Sequence, residues 1–266
     1  MSMPKMLCLM GALALACSFA SATTVAVGGC RPKLPSYPTI SQALSSVPPG
    51  SVIKVCPGTF PEQITISQAV NLQGVIDGNS GRAVITVPAP PPGGGSGLQV
   101  NVTSQFTRVF LGGFFPFAAQ VLVQSPAPVF ISDITVDGAG GDMHCSTSNI
   151  WLAGIFYNSA YSLNLNRVTM RNQLDEGCGN GIWMEDATGP NQTVTVVNSS
   201  VHDFDYAGIL AGTAGTDQWL AATIEGNFVF RGAGSSSFNG SAGIASDFVA
   251  RWPPTWSPVE TPASST

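Results

Sequence analysis

Short runs of alternating apolar and polar residues fill most of this chain. The segments SVIKVCPGTF, EQITISQAVNLQGV, RAVITVPAP, GLQVNVTS, AAQVLVQS and FISDITV all carry the period of two that marks a half-buried strand. One stretch departs from it. In SYPTISQALSSVPPG, Ile40, Ala43, Leu44 and Val47 fall on one face at helical spacing, Thr39 and Gln42 form a capping box, and the PPG turn is a stop. A short helix covering an apolar surface is predicted there. The segment PAPPPGGGSG, residues 88–97, predicts a loop or internal hinge.

The second half repeats. A Gly-Ile pair begins at residues 154, 181, 208 and 243, a spacing of 27, 27 and 35, and a second strand recurs between the pairs in LNLNRVTM, VTVVNSSV and ATIEGNFVF. Asn166, Asn198 and Asn227 recur at similar phase, as corners that tolerate the left-handed backbone. A unit of strand, turn, strand and loop at this period predicts a parallel β-helix, whose coils bury their apolar faces only by stacking. An antiparallel sandwich would account for the strands but not for the Gly-Ile phase. Seven or eight coils are expected.

Composition agrees with an all-β chain: 9% of residues are charged, against 30 glycines and 20 prolines. The N-terminus, MSMPKMLCLMGALALACSFASA, reads as a secretory signal over residues 1–22, with cleavage after Ala22. Its apolar run is too short for a membrane span. Lipid attachment at Cys17, preceded by Leu13, Ala14, Leu15 and Ala16, is the second reading of the same leader. Losing Lys5 leaves nine bases against 15 acids, so the net charge moves from −5 to −6, which gives no electrostatic case for nucleic acid.

Four cysteines follow the leader, and an even count in an exported chain predicts two disulfides with three possible connectivities. Cys30 and Cys56 are 26 residues apart and Cys145 and Cys178 are 33 apart, each about one coil. Neighbouring coils lie about 4.8 Å apart, within disulfide reach. This pairs Cys30 with Cys56 and Cys145 with Cys178.

The segment YPTISQALSSVPPGSVIKVCPGTFPEQITISQAVNLQGV resembles the N-terminal cap and first coils of right-handed parallel β-helix proteins of the pectin lyase-like group. The resemblance implies a right-handed parallel β-helix over residues 23–250. It also implies a group containing polysaccharide lyases, hydrolases, esterases, epimerases, tailspikes and surface proteins without known chemistry. The hydrolases' NTD, DD, GHG and RIK motifs are all absent, and the lysines after the leader, Lys33 and Lys54, sit near the cap rather than where a lyase base would be. SDFVA, residues 246–250, is a faint echo of the esterases' DFIFG segment and is treated as chance.

The candidate chemistry lies in HDFDYA, residues 202–207, the shortest link in the repeat. There His202, Asp203 and Asp205 would form a groove floor, with Asp175 and Glu176 on one wall and Arg231 on the other. Such acids could serve as general acid and base or hold calcium. A lyase would instead ask Arg171 or Arg231 to meet a uronate. Taken singly, each of these residues is more ordinarily a solvated turn. Asp137, Asp142 and His144 form a second acidic group, and Glu185 with Asp186 opens a further loop that is expected to be solvated. The aromatic run FLGGFFPF, residues 110–117, predicts ladders inside the coil, or else an exposed patch.

The expected function is binding or degradation of extracellular polysaccharide by a secreted or periplasmic monomer with calcium as the candidate cofactor. The alternative is a non-catalytic surface or structural protein. Residues 251–266 are Pro-, Ser- and Thr-rich and are expected to be a linker, or the result of truncation or a frame shift.

Overall fold

Alternation along each strand is translated into stacked columns of identical character. The computed structural model describes residues 21–78, 81–104, 115–159, 161–186, 192–213, 220–232 and 242–246. The leader to residue 20 and the tail from 247 lie outside these. In parallel register, Val25, Ile53, Leu72, Ile131, Leu165, Val196 and Ile224 sit one above another. All seven are buried in one continuous core. Their neighbours along each strand face outward.

Three parallel sheets enclose that core. Sheet A holds Ser36–Tyr37, Thr24–Val27, Ser51–Val55, Val70–Gly74, Val129–Ser132, Leu163–Asn166, Gln192–Val197 and Leu220–Glu225. Sheet B holds Gly58–Pro61, Ala83–Thr86, Ile134–Asp137, Thr169–Arg171, Ser200–His202 and Phe228–Phe230. Sheet C holds Ile64–Ile66, Phe115–Val123, Trp151–Asn158, Gly179–Asp186, Ala207–Thr213 and Ala242–Ser246. The chain visits A, B and C in turn, so the fold is a parallel β-helix, with the right-handed crossovers that parallel strands adopt. Among the described residues sheet B contributes one strand to each of six coils, and sheet A extends the stack by one further level at Thr24–Val27. The coils from Ile155 to Ile244 keep the spacing of the Gly-Ile repeat, whereas the second coil is lengthened by an excursion that returns as Val102–Ser104 antiparallel to Phe115–Phe117.

The Gly-Ile phase has a steric cause. Ile155, Ile182, Ile209 and Ile244 are in register. A Cβ on Gly154 would lie 2.8 Å from the carbonyl oxygen of Gly181, one on Gly181 would lie 2.5 Å from that of Gly208, and one on Gly208 would lie 2.6 Å from that of Gly243. Each glycine makes room for the backbone of the next coil.

The asparagine corners differ from expectation. The left-handed corner between sheets A and B is occupied by Asp133, Arg167, Asn198 and Gly226, so only Asn198 of the three sits on it. Asn227 instead accepts from the Ser199 amide and donates to the Val196 carbonyl. Salt bridges serve the same corner lower down, where Arg167 grips Asp133 through Nε and Nη2 at 2.6 and 2.8 Å.

At the N-terminal end the helix Ile40–Ser46 closes the core with Ile40, Ala43, Leu44 and Val47, all buried. Thr39 Oγ1 accepts from the Gln42 amide at 3.1 Å, which is half of the predicted capping box. The other half is replaced by Glu62, which accepts from the amides of Ile40 and Ser41 and from the Ser41 hydroxyl. Both predicted disulfides form, Cys30–Cys56 and Cys145–Cys178, with Cα separations of 5.6 and 6.2 Å. No helix among the described residues is long and apolar enough to cross a membrane.

Aromatic residues build a second core, on the outside of sheet C rather than within the coil. Phe117, Trp151, Phe156, Trp183 and Tyr206 pack there, edge-on, tilted or stacked, with ring centroids 4.8 to 6.3 Å apart. Residues 110–114 of the predicted ladder lie outside the described residues. Glu185, expected on a solvated loop, is wholly buried beside this core and accepts from the Ser104 hydroxyl at 2.5 Å.

Candidate functional site

The loops that join sheet B to sheet C stack along one edge of the coil, and they contain nearly every residue singled out from the sequence. Alternation places Val201 in the core and turns His202 outward, as expected. Asp203 then takes the left-handed corner, with φ of 56°, and its Oδ2 meets His202 Nδ1 at 2.6 Å. Phe204 turns back into the core and Asp205 follows it inward. His202 stacks on Phe230 of the next coil, with centroids 5.1 Å apart and planes 10° from parallel.

Asp205 and Asp175 are therefore not on a groove. Both are 1% exposed and both tie down the loop one coil back. Asp205 Oδ2 accepts from the amides of Asp175 and Gly177 at 2.5 and 3.2 Å. Asp175 Oδ1 accepts from the amides of Met143 and Cys145 at 3.0 and 3.3 Å. The same device, a carboxylate reading two amides two residues apart, recurs in successive coils. The predicted floor of HDFDYA with Asp175 and Glu176 as one wall is thus divided: Asp203 and His202 face out, Asp205 and Asp175 face in, and Glu176 joins a different group. Arg231 is exposed at the far end of the stack. Asp203 Oδ2 is taken by His202 and Asp205 Oδ2 by two amides, so among the described residues the two carboxylates do not converge on one ion.

Asp142, His144 and Glu176 do converge. Single ligand atoms of the three lie within 4.8 Å of one another, and no other such group occurs among the described residues. His144 Nδ1 is 3.4 Å from Asp142 Oδ2 and 3.7 Å from Glu176 Oε1. The other oxygens are held by backbone: Asp142 Oδ1 accepts from the His144 amide at 2.8 Å, and Glu176 Oε2 accepts from the amide and hydroxyl of Ser146. Those hydrogen bonds hold the Glu176 carboxyl below its ordinary value. Behind the three, burial and then the facing Asp142 carboxyl push Asp175 up to about 8, against the pull of the Cys145 and Met143 amides. His144 and Glu176 were each visible in the sequence, but 32 residues of chain separate them, and only the coil spacing brings them together.

Around the corner, the outer face of sheet B carries a different chemistry. Arg171 is not an available base, because Nε and Nη2 both bind Asp137 Oδ2 at 2.8 Å. Asn172 and the Ala139 amide bind the other oxygen. Burial would raise Asp137, but the hydrogen bonds from Asn172, Ala139 and Arg171 together hold it below the usual carboxylate range. Nearer the sheet A corner lies an open depression of about 370 Å³ lined by Arg82, Arg167, Thr169, Asn198, Ser200 and Phe228. Phe228 is 66% exposed and packs against Phe230, 40% exposed, at 5.0 Å.

No protein-family model matches the chain, and no curated protein matches it in sequence. Among solved structures it is similar to a pectin methylesterase mutant in complex with a hexasaccharide, at 12% identity over 77% of this chain and 67% of that chain, with a TM-score of 0.35. So distant a likeness carries no chemistry across, and the β-helix stands on the strand register itself.

Proposed function

We propose that this is an exported β-helix protein that binds extracellular polysaccharide along the outer face of sheet B and does not cleave it. The depression between Arg82, Arg167 and Phe228 carries this reading. An exposed ring can stack on the apolar face of a sugar, while amides and hydroxyls of Asn198, Thr169 and Ser200 suit its hydroxyls. Arg167 spends Nε–H and one Nη2–H on Asp133, which leaves further donors for a hydroxyl or a uronate carboxylate. Coils repeat about every 4.8 Å, so an extended chain lying along the stack meets similar groups at regular steps. Of the acids expected to cleave such a chain, Asp205, Asp175 and Glu176 are engaged with backbone amides and Asp203 with His202, which favours binding without turnover.

Affinity electrophoresis on polygalacturonate, alginate and xylan tests the proposal, with reducing ends and unsaturated products assayed in parallel. Retardation by at least one glycan, weakened several-fold by Phe228→Ala or Arg82→Ala, is the expected result. Product release that disappears in Asp203→Asn or Glu176→Gln would overturn it, as would absence of retardation on every glycan.

A further inference from the structure

We propose that the loop edge of the third and fourth coils is a binding site for a divalent transition-metal cation, with His144 Nδ1 and carboxylate oxygens of Asp142 and Glu176 as ligands and the buried Asp175 carboxyl behind them. It is independent of the glycan face.

The spacing of the three ligand atoms suits a single ion. In tetrahedral coordination with bonds of about 2.0–2.2 Å, ligand atoms lie about 3.3–3.6 Å apart. The separations from His144 Nδ1, 3.4 Å to Asp142 Oδ2 and 3.7 Å to Glu176 Oε1, are close to that range. Each carboxylate has one oxygen fixed by amides of residues 143–146 and turns the other away from them. Hydrogen bonding of the non-ligating oxygen is how metal sites orient their ligands.

An independent observation comes from the buried member. Asp175 is 1% exposed, and among the described residues no N–H group or hydroxyl donates to its Oδ2. The group facing it is another carboxyl, Asp142. A buried oxygen with no donor, set against a second carboxyl, is costly unless positive charge lies between them. A cation at the Asp142–His144–Glu176 cluster supplies that charge. The imidazole selects the ion: calcium and magnesium favour all-oxygen shells, whereas one nitrogen with carboxylates suits Zn²⁺ and its neighbours. The Cys145–Cys178 disulfide ties the two loops together and limits their separation.

Calorimetric titration of the full chain with Zn²⁺ at neutral pH, after treatment with a chelator, tests this. One site is expected, with a melting temperature that rises with Zn²⁺ concentration. His144→Ala and Glu176→Gln should each weaken binding by at least about tenfold and abolish the melting shift, while circular dichroism remains that of the parent. Both side chains are exposed, so neither substitution threatens the fold. Absence of Zn²⁺ binding, affinity unchanged in His144→Ala, or tighter binding of Ca²⁺ than of Zn²⁺ would each overturn the assignment.

Discussion

The carboxylate of Asp205 receives the backbone amide of Asp175 at 2.5 Å, one coil back in the stack. It also receives that of Gly177. Two charge-assisted hydrogen bonds in a buried setting, lost together with exposure of two orphaned amides, amount to about 2–4 kcal/mol. Asp205→Ala is therefore expected to lower unfolding free energy by that much in urea, and Asp205→Asn by less, since one oxygen is retained. A general acid would behave differently, losing turnover with stability intact.

Glycine at position 181 is required by backbone, not by a side chain that can move aside. A Cβ there would lie 2.5 Å from the Gly208 carbonyl oxygen and 2.4 Å from Val201 Cγ1. Overpacking of a core ordinarily costs about 1–3 kcal/mol, and a carbonyl fixed in a parallel ladder yields less than a side chain does. Gly181→Ala is expected at or above the top of that range. Gly243→Ala, whose nearest neighbour would be 3.8 Å away, is the control. Thermal unfolding of the two variants measures the difference.

These two sites explain what the sequence made legible. The Gly-Ile period could be read because every coil must leave room for the next carbonyl at the same place, so the requirement recurs in residue type. The coil-spaced cysteines were readable for the same reason. Direction was not. Asp203 and Asp205 are two residues apart, but the left-handed turn at Asp203 sends one carboxylate to solvent and the other inward to Asp175. Charge proximity in sequence carries no record of that divergence. Alternation likewise marks two faces of Trp151–Asn158 and Gly179–Asp186 without saying that the outer face is also covered. Glu185 was thus expected in solvent although it lies buried beside Phe156 and Trp183. His144 and Glu176 met only once the coil register was known.

Asp137 gives the fold a calculable acid sensitivity. Its carboxyl titrates lower when folded than when unfolded, because Asn172, the Ala139 amide and Arg171 favour the charged form despite burial. Such a group contributes stability above its unfolded value, about pH 4, and loses it as pH falls through the folded one. Unfolding free energy should decline between about pH 5 and pH 2, and Asp137→Asn should flatten part of that decline. Urea titrations at a series of pH values give the slope; an unchanged slope in the variant would contradict the assignment.

The Cys145–Cys178 bridge fixes the edge on which the candidate metal ligands lie. It closes a loop with a sequence separation of 33, for which chain entropy gives about 3.5–4 kcal/mol in the unfolded state. Replacing both cysteines with serine should lower stability by up to that amount, because Asp175 still holds the amides of Met143 and Cys145 and the strand ladders on either side are untouched. The loss should be uneven along the chain. Amide exchange is expected to quicken most at residues 143–146 and 175–178, whose partners sit across the missing bridge, and least in Leu163–Asn166 at the centre of sheet A. Uniform acceleration would instead mean that the bridge acts only through the unfolded chain, with no local part in holding Asp142, His144 and Glu176 together.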